Sequence, residues 1–356
     1  MILIVGAGPA GLAMAWQLQQ RGLPYTVLEK EAVGWAWHNH YDRLRLHTLK
    51  AVSALPGLPM PADYPRFVPR QQHLAYLQQY AAHFRLNIKT GVMVQQAAFS
   101  DGNWRLETNA GPFAGHTLIA ATGIWSSPHR PNFPGQAGFS GSVVHAVDYR
   151  NPAPYVGQRV LVVGGGNTGC EIAVDLAEHG AKASIAIRGG AEFVPYPSSA
   201  AAMKAAAWFF RHAPSALGEW LLGKIRADFS HLGLRPAPGG HLRTYPVVGF
   251  QLPQAVEAGR VQLFACGIKQ FTGDGVNFED GRSARFDAVI LATGYRPTLQ
   301  FIAEQDLARD SRGWPVLEKW RSTRNPRLFC IGYHYPTTEG WLQAIGRVTG
   351  EVARQL

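Results

Sequence analysis

The chain has 356 residues, enough for one large or two ordinary domains with hydrophobic cores of their own. Hydrophobic residues make up 46% and charged residues 16%, a composition that excludes an intrinsically disordered chain. The formal net charge of +10 would suit nucleic acid, an anionic membrane or a phosphate-bearing ligand. Because the basic residues are scattered and no lysine-rich tail or RNA-binding aromatic motif is present, we expect no nucleic-acid partner.

The cysteines and histidines indicate neither disulfides nor a metal. Cys170, Cys266 and Cys330 are too few and too dispersed for a disulfide framework or a CxxC pair. The 13 histidines form no HExxH or His-x-His cluster, so no metal site is predicted. No run of about 18 apolar residues occurs, and the apolar start of the chain lacks a basic leader region. We expect a cytoplasmic protein without an integral membrane segment.

The first thirty residues predict a strand, a glycine-rich turn, a helix and a second strand. The two strands are expected at residues 2–5 and 25–29, and the helix at residues 12–20. This succession has the length of a βαβ unit with a right-handed crossover.

The turn in this unit is a GxGxxG motif in the context that dinucleotide binding requires. Its residues are Gly6, Gly8, Pro9, Ala10 and Gly11. The first glycine permits the tight turn, the second lets a pyrophosphate approach the backbone, and the third lets helix and strand pack closely. Glu29, followed by Lys30, lies 18 residues past the last glycine, where a carboxylate can accept both ribose hydroxyls. An unphosphorylated ribose, as in FAD or NAD, is implied.

The same pattern returns in the middle of the chain. Strands are expected at residues 159–163 and 183–187, with a glycine turn at 164–169 and a helix at 170–178 between them. Two such units predict an α/β fold with two Rossmann-like dinucleotide-binding domains.

The second turn differs from the first at the ribose position. Its motif residues are Gly164, Gly166, Asn167, Thr168 and Gly169. The step that leads from Gly22 to Glu29 leads here from Gly180 to Ile187, and Arg188 follows. A guanidinium can pair with a 2′-phosphate that a carboxylate would repel. The sequence therefore predicts NADPH at this turn.

The rest of the pattern suggests a discontinuous first domain. A helix over residues 71–84 and alternating strands over 88–108 form an insertion, and residues 151–154 resemble a linker. A hairpin-like region over residues 275–290, with a turn at Asp280-Gly281, is expected to return the chain to the first domain. The predicted domains are 1–150 and 281–356 for FAD and 151–280 for NADPH.

Residues 199–225 are rich in alanine and contain several large aromatic and aliphatic side chains. They could form a membrane-surface helix, but packed helices over a pocket are the commoner explanation. We favour the pocket cover and keep the membrane surface as the alternative.

Two dinucleotide sites of this kind imply electron flow from NADPH to a bound flavin. A disulfide reductase of the thioredoxin reductase type would lack its internal acceptor, because the chain has no CxxC pair. Oxygen, a quinone or a protein partner remain as acceptors.

Several motifs in order resemble the flavin-containing monooxygenases, which are class B flavoprotein monooxygenases. Residues 139–150 match the FxGxxxHxxxY(K/R) string of that family, just before the second glycine turn. Residues 41–47 resemble the stretch after the GxW element in the YUCCA branch, and residues 121–123 and 292–295 resemble the two ATG strands that link the domains. The chain is identified as a YUCCA-like bacterial member, with a glutathione or thioredoxin reductase-like two-domain flavoprotein fold.

The resemblance implies a reaction in which NADPH reduces FAD and oxygen adds at flavin C4a. Retained NADP⁺ would shield the C4a-hydroperoxyflavin until a substrate takes the distal oxygen. The protein would then contribute positioning, water exclusion and electrostatics, in agreement with the lack of a catalytic triad or carboxylate pair.

The resemblance also assigns residues to the flavin site. Trp37 falls at the tryptophan of the GxW element, near the flavin, with a core aromatic as the alternative. Val94 falls where the family's backbone meets the FAD adenine, and Gln343 where the C-terminal element approaches the flavin ring. Thr48 stands where many members carry an asparagine near flavin C4a, and it is the candidate catalytic residue.

Two further residues have competing interpretations. His145 has the chemistry of a proton shuttle, but its place in the domain-linking strand favours a structural role. Lys50 matches a lysine of the YUCCA branch, and the alternative is an ordinary surface lysine.

The expected function is that of an NADPH-dependent FAD monooxygenase acting on a small substrate and O₂. It would oxygenate a soft nucleophile at N or S, or decarboxylate a 2-oxo acid. Alternatives are Baeyer-Villiger oxygenation, whose string ends in HxxxWP or HxxxWD where this chain has Tyr149-Arg150, and an NADPH oxidase or electron-transfer flavoprotein. Family resemblance suggests a homodimer.

Overall fold

A computed structural model describes residues 1–334, 336 and 338–356. None of the helices in this described part is long and apolar enough to cross a membrane. In chain order the helices are α1 (Pro9–Gln19), α2 (Trp35–His38), α3 (Lys50–Ser53), α4 (Arg70–His83), α5 (Asn167–Glu178), α6 (Ala200–His212), α7 (Ser215–Ile225), α8 (Gln251–Glu257) and α9 (Trp341–Ala353).

The strands begin at the second residue and end shortly before α9. In chain order they are β1 (Ile2–Val5), β2 (Tyr25–Leu28), β3 (Ile88–Lys89), β4 (Val94–Ser100), β5 (Asn103–Thr108), β6 (Phe113–Gly115), β7 (Thr117–Ala120), β8 (Ser142–His145), β9 (Arg159–Val163), β10 (Lys182–Ala186), β11 (Phe193–Val194), β12 (Val247–Val248), β13 (Val261–Phe264), β14 (Ile268–Phe271), β15 (Gly275–Phe278), β16 (Ser283–Arg285), β17 (Ala288–Leu291), β18 (Leu317–Glu318), β19 (Arg321–Ser322) and β20 (Leu328–Cys330).

The chain forms two compact units. The first comprises Met1–Asn39, Thr48–Ser127 and Tyr295–Leu356, and the second comprises His40–His47 and Pro128–Gly294. Both are discontinuous in sequence, and each contains one of the two glycine turns.

The first unit is built on a sheet with the strand order β18-β19-β20-β7-β1-β2-β3. The five strands from β20 to β3 are parallel, and β18 and β19 extend them in antiparallel fashion. Every residue of the central strand β1 is buried, as expected for a parallel strand covered on both faces. A separate antiparallel sheet, β4-β5-β6, precedes β7 in the chain.

The second unit repeats this arrangement with different residues. Its sheet has the order β13-β10-β9-β17-β8, and every pairing in it is parallel. Here too a three-stranded antiparallel sheet, β14-β15-β16, precedes the strand that returns to the main sheet. The strand that leads into the glycine turn lies inside the sheet in both units, as β1 and as β9. The predicted α/β class with two Rossmann-like parts is confirmed.

The bounds of the units differ from the predicted domain bounds. Strand β8 belongs to the second sheet, although the sequence analysis assigned it to the first domain. Strand β17 also pairs in the second sheet, between β8 and β9, so the chain returns to the first unit at Tyr295 instead of at residue 281. Both strands have only four residues, and the hydrophobic pattern of so short a strand fits either parallel sheet.

Local elements agree closely with the predictions, except where the glycine turns end. Helices α1 and α5 each begin three residues earlier than predicted, at Pro9 and Asn167. Proline is favoured at this first helical position, where its missing N–H has no partner to lose. Gly11 and Gly169, the last glycines of the two motifs, therefore lie inside the helices.

Segment 199–225 forms the helices α6 and α7, and most of their residues are exposed or half-buried. Only Ala207 is buried on α6, and only Gly218 and Leu222 are buried on α7. The two tryptophans of the segment stay exposed.

The core of the first unit includes a histidine with no polar partner. His73 on α4 is fully buried, and neither ring nitrogen has a hydrogen-bond partner among the described residues. Its ring packs edge-on against Trp37, with the centroids 4.3 Å apart. Burial lowers the pKa of His73 to about 3, because the charged imidazolium would lose its hydration without compensation.

This histidine makes the stability of the first unit sensitive to acid. Below about pH 6.5 the unfolded chain protonates His73 while the folded chain does not. The free energy of unfolding should therefore fall as the pH decreases from about 6.5 towards 3. In His73→Phe this His73 contribution should disappear, and urea unfolding at a series of pH values measures the difference.

The matched control is His83→Phe, on the same helix at an exposed position. It should leave the acid dependence of unfolding as in the unchanged protein. If the free energy of unfolding falls with acid equally in His73→Phe and in the unchanged protein, His73 is not the source of the acid sensitivity.

Candidate functional site

The first glycine turn follows β1 and leaves no room for side chains at two of its glycines. Gly6 has φ +108°, and a Cβ there would lie 2.5 Å from the carbonyl oxygen of Ala121. A Cβ on Gly11 would lie 1.9 Å from the Gly6 oxygen, so α1 packs directly on the strand. Gly8 is different, because a Cβ there would meet no atom within 4 Å. No neighbouring protein atom therefore requires glycine at this position, and the backbone here stays open to approach from outside.

The N-terminus of α1 is open to an anion. Gly8 is the N-cap, Pro9 begins the helix, and neither a side-chain cap nor an acidic residue occupies the first turn. Ala10 is buried in the first turn and packs against Gly332. The backbone N–H groups and the helix dipole favour a phosphate here.

Glu29 is held against this turn. Its carboxylate is buried and accepts hydrogen bonds from the backbone N of Ala7 at 2.6 Å and of Glu31 at 3.0 Å. Each carboxylate oxygen retains acceptor capacity for one more donor, which suits a pair of ribose hydroxyls. Lys30 is exposed beside it.

The second glycine turn has the same backbone geometry. Gly164 has φ +128°, and a Cβ there would lie 2.3 Å from the carbonyl oxygen of Ala292. A Cβ on Gly169 would lie 2.1 Å from the Gly164 oxygen, whereas one on Gly166 would meet nothing within 4 Å. The second turn therefore offers the same open position at its middle glycine.

The side chains around the second turn differ from those around the first. Ile187 and the exposed Arg188 stand where Glu29 stands in the first unit. The Asn167 amide is already engaged, since it donates to the Pro246 carbonyl at 2.9 Å and accepts from the Val248 N–H at 2.9 Å. It thus fixes the loop before α8 beside the turn, while Thr168 is half-buried.

Residues 41–47 pack on α5, and this contact was not predicted from the sequence. Glu171 on α5 accepts a hydrogen bond from the Tyr41 hydroxyl at 2.7 Å and pairs with His47. Arg43 pairs with Glu178 and, at 3.5 Å, with Asp175. The alternation of basic and apolar residues from 41 to 47 was the available indication, but it names no partner helix.

These contacts line a cavity of about 240 Å³ beside the second turn. Burial lowers the pKa of His47, but the charge and hydrogen bond of Glu171 outweigh burial, so the pKa lies above its ordinary value. The acid in the cavity wall therefore has a cationic partner over a wider pH range. The lining residues are Arg43, Arg45, His47, Asn167, Cys170, Glu171, Val174, Tyr196, Val247, Val248, Gly249, Gln251 and Leu252.

Thr48 lies against Gly340 at the N-terminus of α9, the helix that carries Gln343. A Cβ on Gly340, the N-cap of α9, would lie 2.8 Å from Thr48 Cγ2, and Gln343 follows in the first turn. Gln343 Oε1 is buried and has no hydrogen-bond partner in the described part of the chain. An acceptor in this state fits an N–H donor of a bound ring system.

The Thr48 hydroxyl lies 2.7 Å from the Ser53 hydroxyl. Ser53 donates to the Leu49 carbonyl at 2.9 Å, with the Thr48 carbonyl at 3.3 Å as a second acceptor. Either hydroxyl can donate in the Thr48–Ser53 pair. The Thr48 hydroxyl is therefore already hydrogen-bonded within the protein, whichever of the two groups donates.

Trp37 lies at the end of a turn that Arg70 stabilises. The Arg70 guanidinium donates to the carbonyl of His38 at 2.6 Å and of Trp37 at 3.3 Å. Trp37 is half-buried against His73, so its ring combines packing with an accessible edge. Val94 begins β4 opposite Thr108 and is also half-buried.

Lys50 and His145 have structural contacts. Lys50 Nζ donates to the carbonyls of Ala62 and Tyr64 at 2.6 Å and of Pro61 at 3.3 Å, which fixes the proline-rich loop. His145 is fully buried, with one ring nitrogen 3.1 Å from the Gly294 carbonyl and the other accepting from the Val147 N–H. This agrees with the structural role favoured for His145.

The cysteines are separate and protonated. None of the three is in a disulfide, and burial raises the thiol pKa of Cys170, Cys266 and Cys330. Among the residues that the structure describes, no group of three His, Cys, Asp or Glu side chains could hold a metal ion.

Comparison with known proteins agrees with this geometry. Residues 3–200 match the pyridine nucleotide-disulphide oxidoreductase family. The indole-3-pyruvate monooxygenase YUCCA1 of Oryza sativa subsp. japonica is 36% identical over 311 residues, covering 83% of this chain and 76% of that protein. A probable indole-3-pyruvate monooxygenase YUCCA1 of Arabidopsis thaliana is 32% identical over 99% of this chain and 89% of its own length.

Solved structures share the whole fold. A flavin-containing monooxygenase from Stenotrophomonas maltophilia has a TM-score of 0.79 at 26% identity, covering 99% of this chain and 97% of that one. A bacillithiol disulfide reductase from Bacillus cereus has a TM-score of 0.74 at 21% identity, covering 100% and 98%, and shares the fold alone. This chain belongs to the flavin monooxygenases of the pyridine nucleotide-disulphide oxidoreductase family, with the YUCCA enzymes among its relatives, and is an oxidoreductase.

Proposed function

We propose that the protein is an NADPH-dependent FAD monooxygenase that transfers one oxygen atom of O₂ to a small molecule. The observation that carries the proposal is the contrast between the two turns: identical glycine backbones, with Glu29 beside the first and Arg188 beside the second. FAD, when bound, supplies the centre that accepts electrons from NADPH and reacts with O₂.

In the first unit the residues present fit FAD. The turn of Gly6, Gly8 and Gly11 and the uncapped start of α1 would receive the pyrophosphate, and Glu29 would accept the ribose hydroxyls. The orphaned Gln343 Oε1 would accept a hydrogen bond from the flavin ring, near Thr48. Trp37, held by Arg70 and His73, and Val94 would complete the site.

In the second unit the residues present fit NADPH. The turn of Gly164, Gly166 and Gly169 would receive the pyrophosphate, and Arg188 would pair with the 2′-phosphate. Asn167 would act indirectly, because its amide is bound to the backbone of the loop at residues 246–248.

The three protonated, separated thiols favour oxygen over a disulfide as the electron acceptor. The proposed substrate is a soft nucleophile at N or S, or a 2-oxo acid that is decarboxylated, as the names of the YUCCA relatives suggest. Baeyer-Villiger oxygenation and an NADPH oxidase or electron-transfer role are the alternatives that the experiments must separate.

Gly8→Ala should remove flavin without unfolding the protein. The added methyl group meets no protein atom within 4 Å, but it occupies the space through which a pyrophosphate reaches the backbone. We expect a thermal midpoint close to that of the unchanged apoprotein and at least about a tenfold rise in the FAD dissociation constant, the cost of one lost charge-assisted contact. Flavin absorbance after dialysis measures it.

The matched control is Gly138→Ala, where an added methyl group also meets nothing within 4 Å. It should keep its full flavin content. If Gly8→Ala binds FAD as tightly as this control, the first turn does not hold the pyrophosphate.

Arg188→Ala should weaken NADPH and leave NADH nearly unchanged. Loss of a charge-assisted contact to the 2′-phosphate should raise the Michaelis constant for NADPH roughly tenfold to a hundredfold. Arg260→Ala, which removes another exposed arginine of the same unit, is the control and should change neither constant. Equal changes for both nucleotides in Arg188→Ala would refute the assigned role.

The proposed reaction is tested on the flavin-loaded protein by comparing the amount of NADPH oxidised with the amount of hydrogen peroxide released. NADPH oxidation and hydrogen peroxide release are measured together with a thioether, a tertiary amine, an aromatic 2-oxo acid and a cyclic ketone. A monooxygenase substrate raises NADPH oxidation without raising peroxide, and its class is then identified from the product. Stoichiometric peroxide with every compound would establish the oxidase alternative instead.

A further inference from the structure

Helices α6 and α7, joined by Ala213 and Pro214, form a helical hairpin over residues 200–225. It carries the most exposed tryptophans among the described residues: Trp208 is 64% exposed and Trp220 is 62% exposed. Leu217 and Ile225 on α7 are also exposed, at 44% and 47%. Large apolar side chains exposed together mark an interaction surface.

The exposed residues of each helix follow its period. On α6 they recur at Ala201, Lys204, Trp208 and Arg211, three or four residues apart. On α7 they recur at Leu217, Trp220 and Lys224 with the same spacing. The α6 stripe alternates apolar and basic side chains, and in the α7 stripe two apolar side chains are followed by a basic one.

The exposed charged side chains of the helical hairpin are all basic. Lys204, Arg211 and Lys224 are exposed, and Glu219 is the only acidic residue between positions 200 and 225. The Glu219 carboxylate is bound, because it accepts from the backbone N of His241 at 2.8 Å and of Leu242 at 2.9 Å. The hairpin therefore presents cations and apolar rings with no competing free carboxylate.

The hairpin is firmly attached at its base. Arg226, just after α7, pairs with Glu192 at 3.3 Å, and the two side chains are 2% and 4% exposed. Arg226 also donates to the carbonyl of His241 at 2.7 Å. Gly218 of α7 lies close to the Phe210 ring of α6, which joins the two helices. Trp220 thus lies on a helix that is attached to its unit at the C-terminal end.

We propose that the helical hairpin docks the protein on an anionic membrane surface. Tryptophan is favoured at the boundary between lipid headgroups and acyl chains, where its ring has apolar and polar surroundings. Lysine and arginine beside it attract anionic headgroups while their long side chains extend over the apolar surface. Neither helix needs to cross the bilayer, in agreement with the absence of a spanning helix in the described part.

Charge favours lipid over a second copy of this chain as the occupant. Two copies meeting through the hairpin would bring the same cations together with no exposed acid to pair with them. An anionic lipid surface supplies the opposite charge over the whole patch.

The proposal is tested by co-sedimentation of the purified flavin-loaded protein with vesicles. Vesicles of phosphatidylcholine with phosphatidylglycerol should bind the protein, and vesicles of phosphatidylcholine alone should bind far less. The combined change Lys204→Gln with Lys224→Gln should lower the partition coefficient about thirtyfold, at the usual contribution of a lysine near an anionic surface. The combined change Trp208→Ala with Trp220→Ala should lower it at least about tenfold.

Matched controls carry the same chemical changes elsewhere. Lys182→Gln with Lys269→Gln removes two exposed lysines of the same unit, and Val156→Ala trims a side chain that is 60% exposed. Both should bind vesicles as the unchanged protein does. Flavin content and thermal unfolding establish that every variant is folded.

Three results would overturn the proposal. The first is no binding to anionic vesicles, and the second is binding that the tryptophan and lysine changes reduce no more than the controls do. The third is self-association in analytical ultracentrifugation without lipid that Trp208→Ala with Trp220→Ala abolishes, which would identify the hairpin as an interface between copies. None of these results depends on whether the proposed oxygenation is correct.

Discussion

The close approach of strand and helix at the glycine turns is the constraint on which both units depend. In each unit the first glycine packs against the carbonyl oxygen of the residue after a parallel neighbouring strand, Ala121 in one and Ala292 in the other. The third glycine packs against the first. This contact sets the direction of α1 and α5, and with it the direction of their free N–H groups. Any larger residue at these positions would move the helix, and with it these N–H groups, away from the turn.

The two turns have a similar backbone but different charged side chains beside them. The charges differ because the residues just after the second strand of each βαβ unit differ. In the first unit the Glu29 carboxylate is drawn into the turn by the Ala7 N–H, so the acid is buried and oriented. In the second unit a glycine replaces Ala7, and Ile187 packs where a Cβ on Gly165 would stand. The charged group is then displaced outward to the exposed Arg188, where a phosphate can reach it. Packing at the turn thus decides where the charge is placed.

The elements around the turns were predictable because their determinants are local. Strands, turns and helices of both βαβ units follow from apolar runs and glycine spacing within thirty residues. It was not predictable which sheet β8 and β17 join, since the sequence of a four-residue strand does not indicate its pairing partners. The pairing of Tyr41, Arg43 and His47 with acids on α5 was hidden for a related reason, because partners more than 120 residues apart leave no local pattern.

Lys50 and His73 illustrate the same limit for single residues. A lysine that donates to three carbonyls and a histidine buried without a partner look like ordinary surface and helix residues in the sequence. Their roles arise from what folds around them. Resemblance to a family suggested Thr48, Trp37 and Gln343 as site residues, and the structure adds the contacts that each side chain makes.

The hydrogen bonds of Thr48 bear directly on the chemistry proposed for the first unit. An asparagine at this position would offer two N–H donors, whereas threonine has a single hydroxyl proton, and the Thr48 hydroxyl is already hydrogen-bonded to Ser53. Gln343 lies in the first turn of α9, and Gly340, the N-cap of that helix, lies against Thr48. Gln343 Oε1 has no hydrogen-bond partner among the described residues, so this acceptor is available to the flavin ring in the site that we propose.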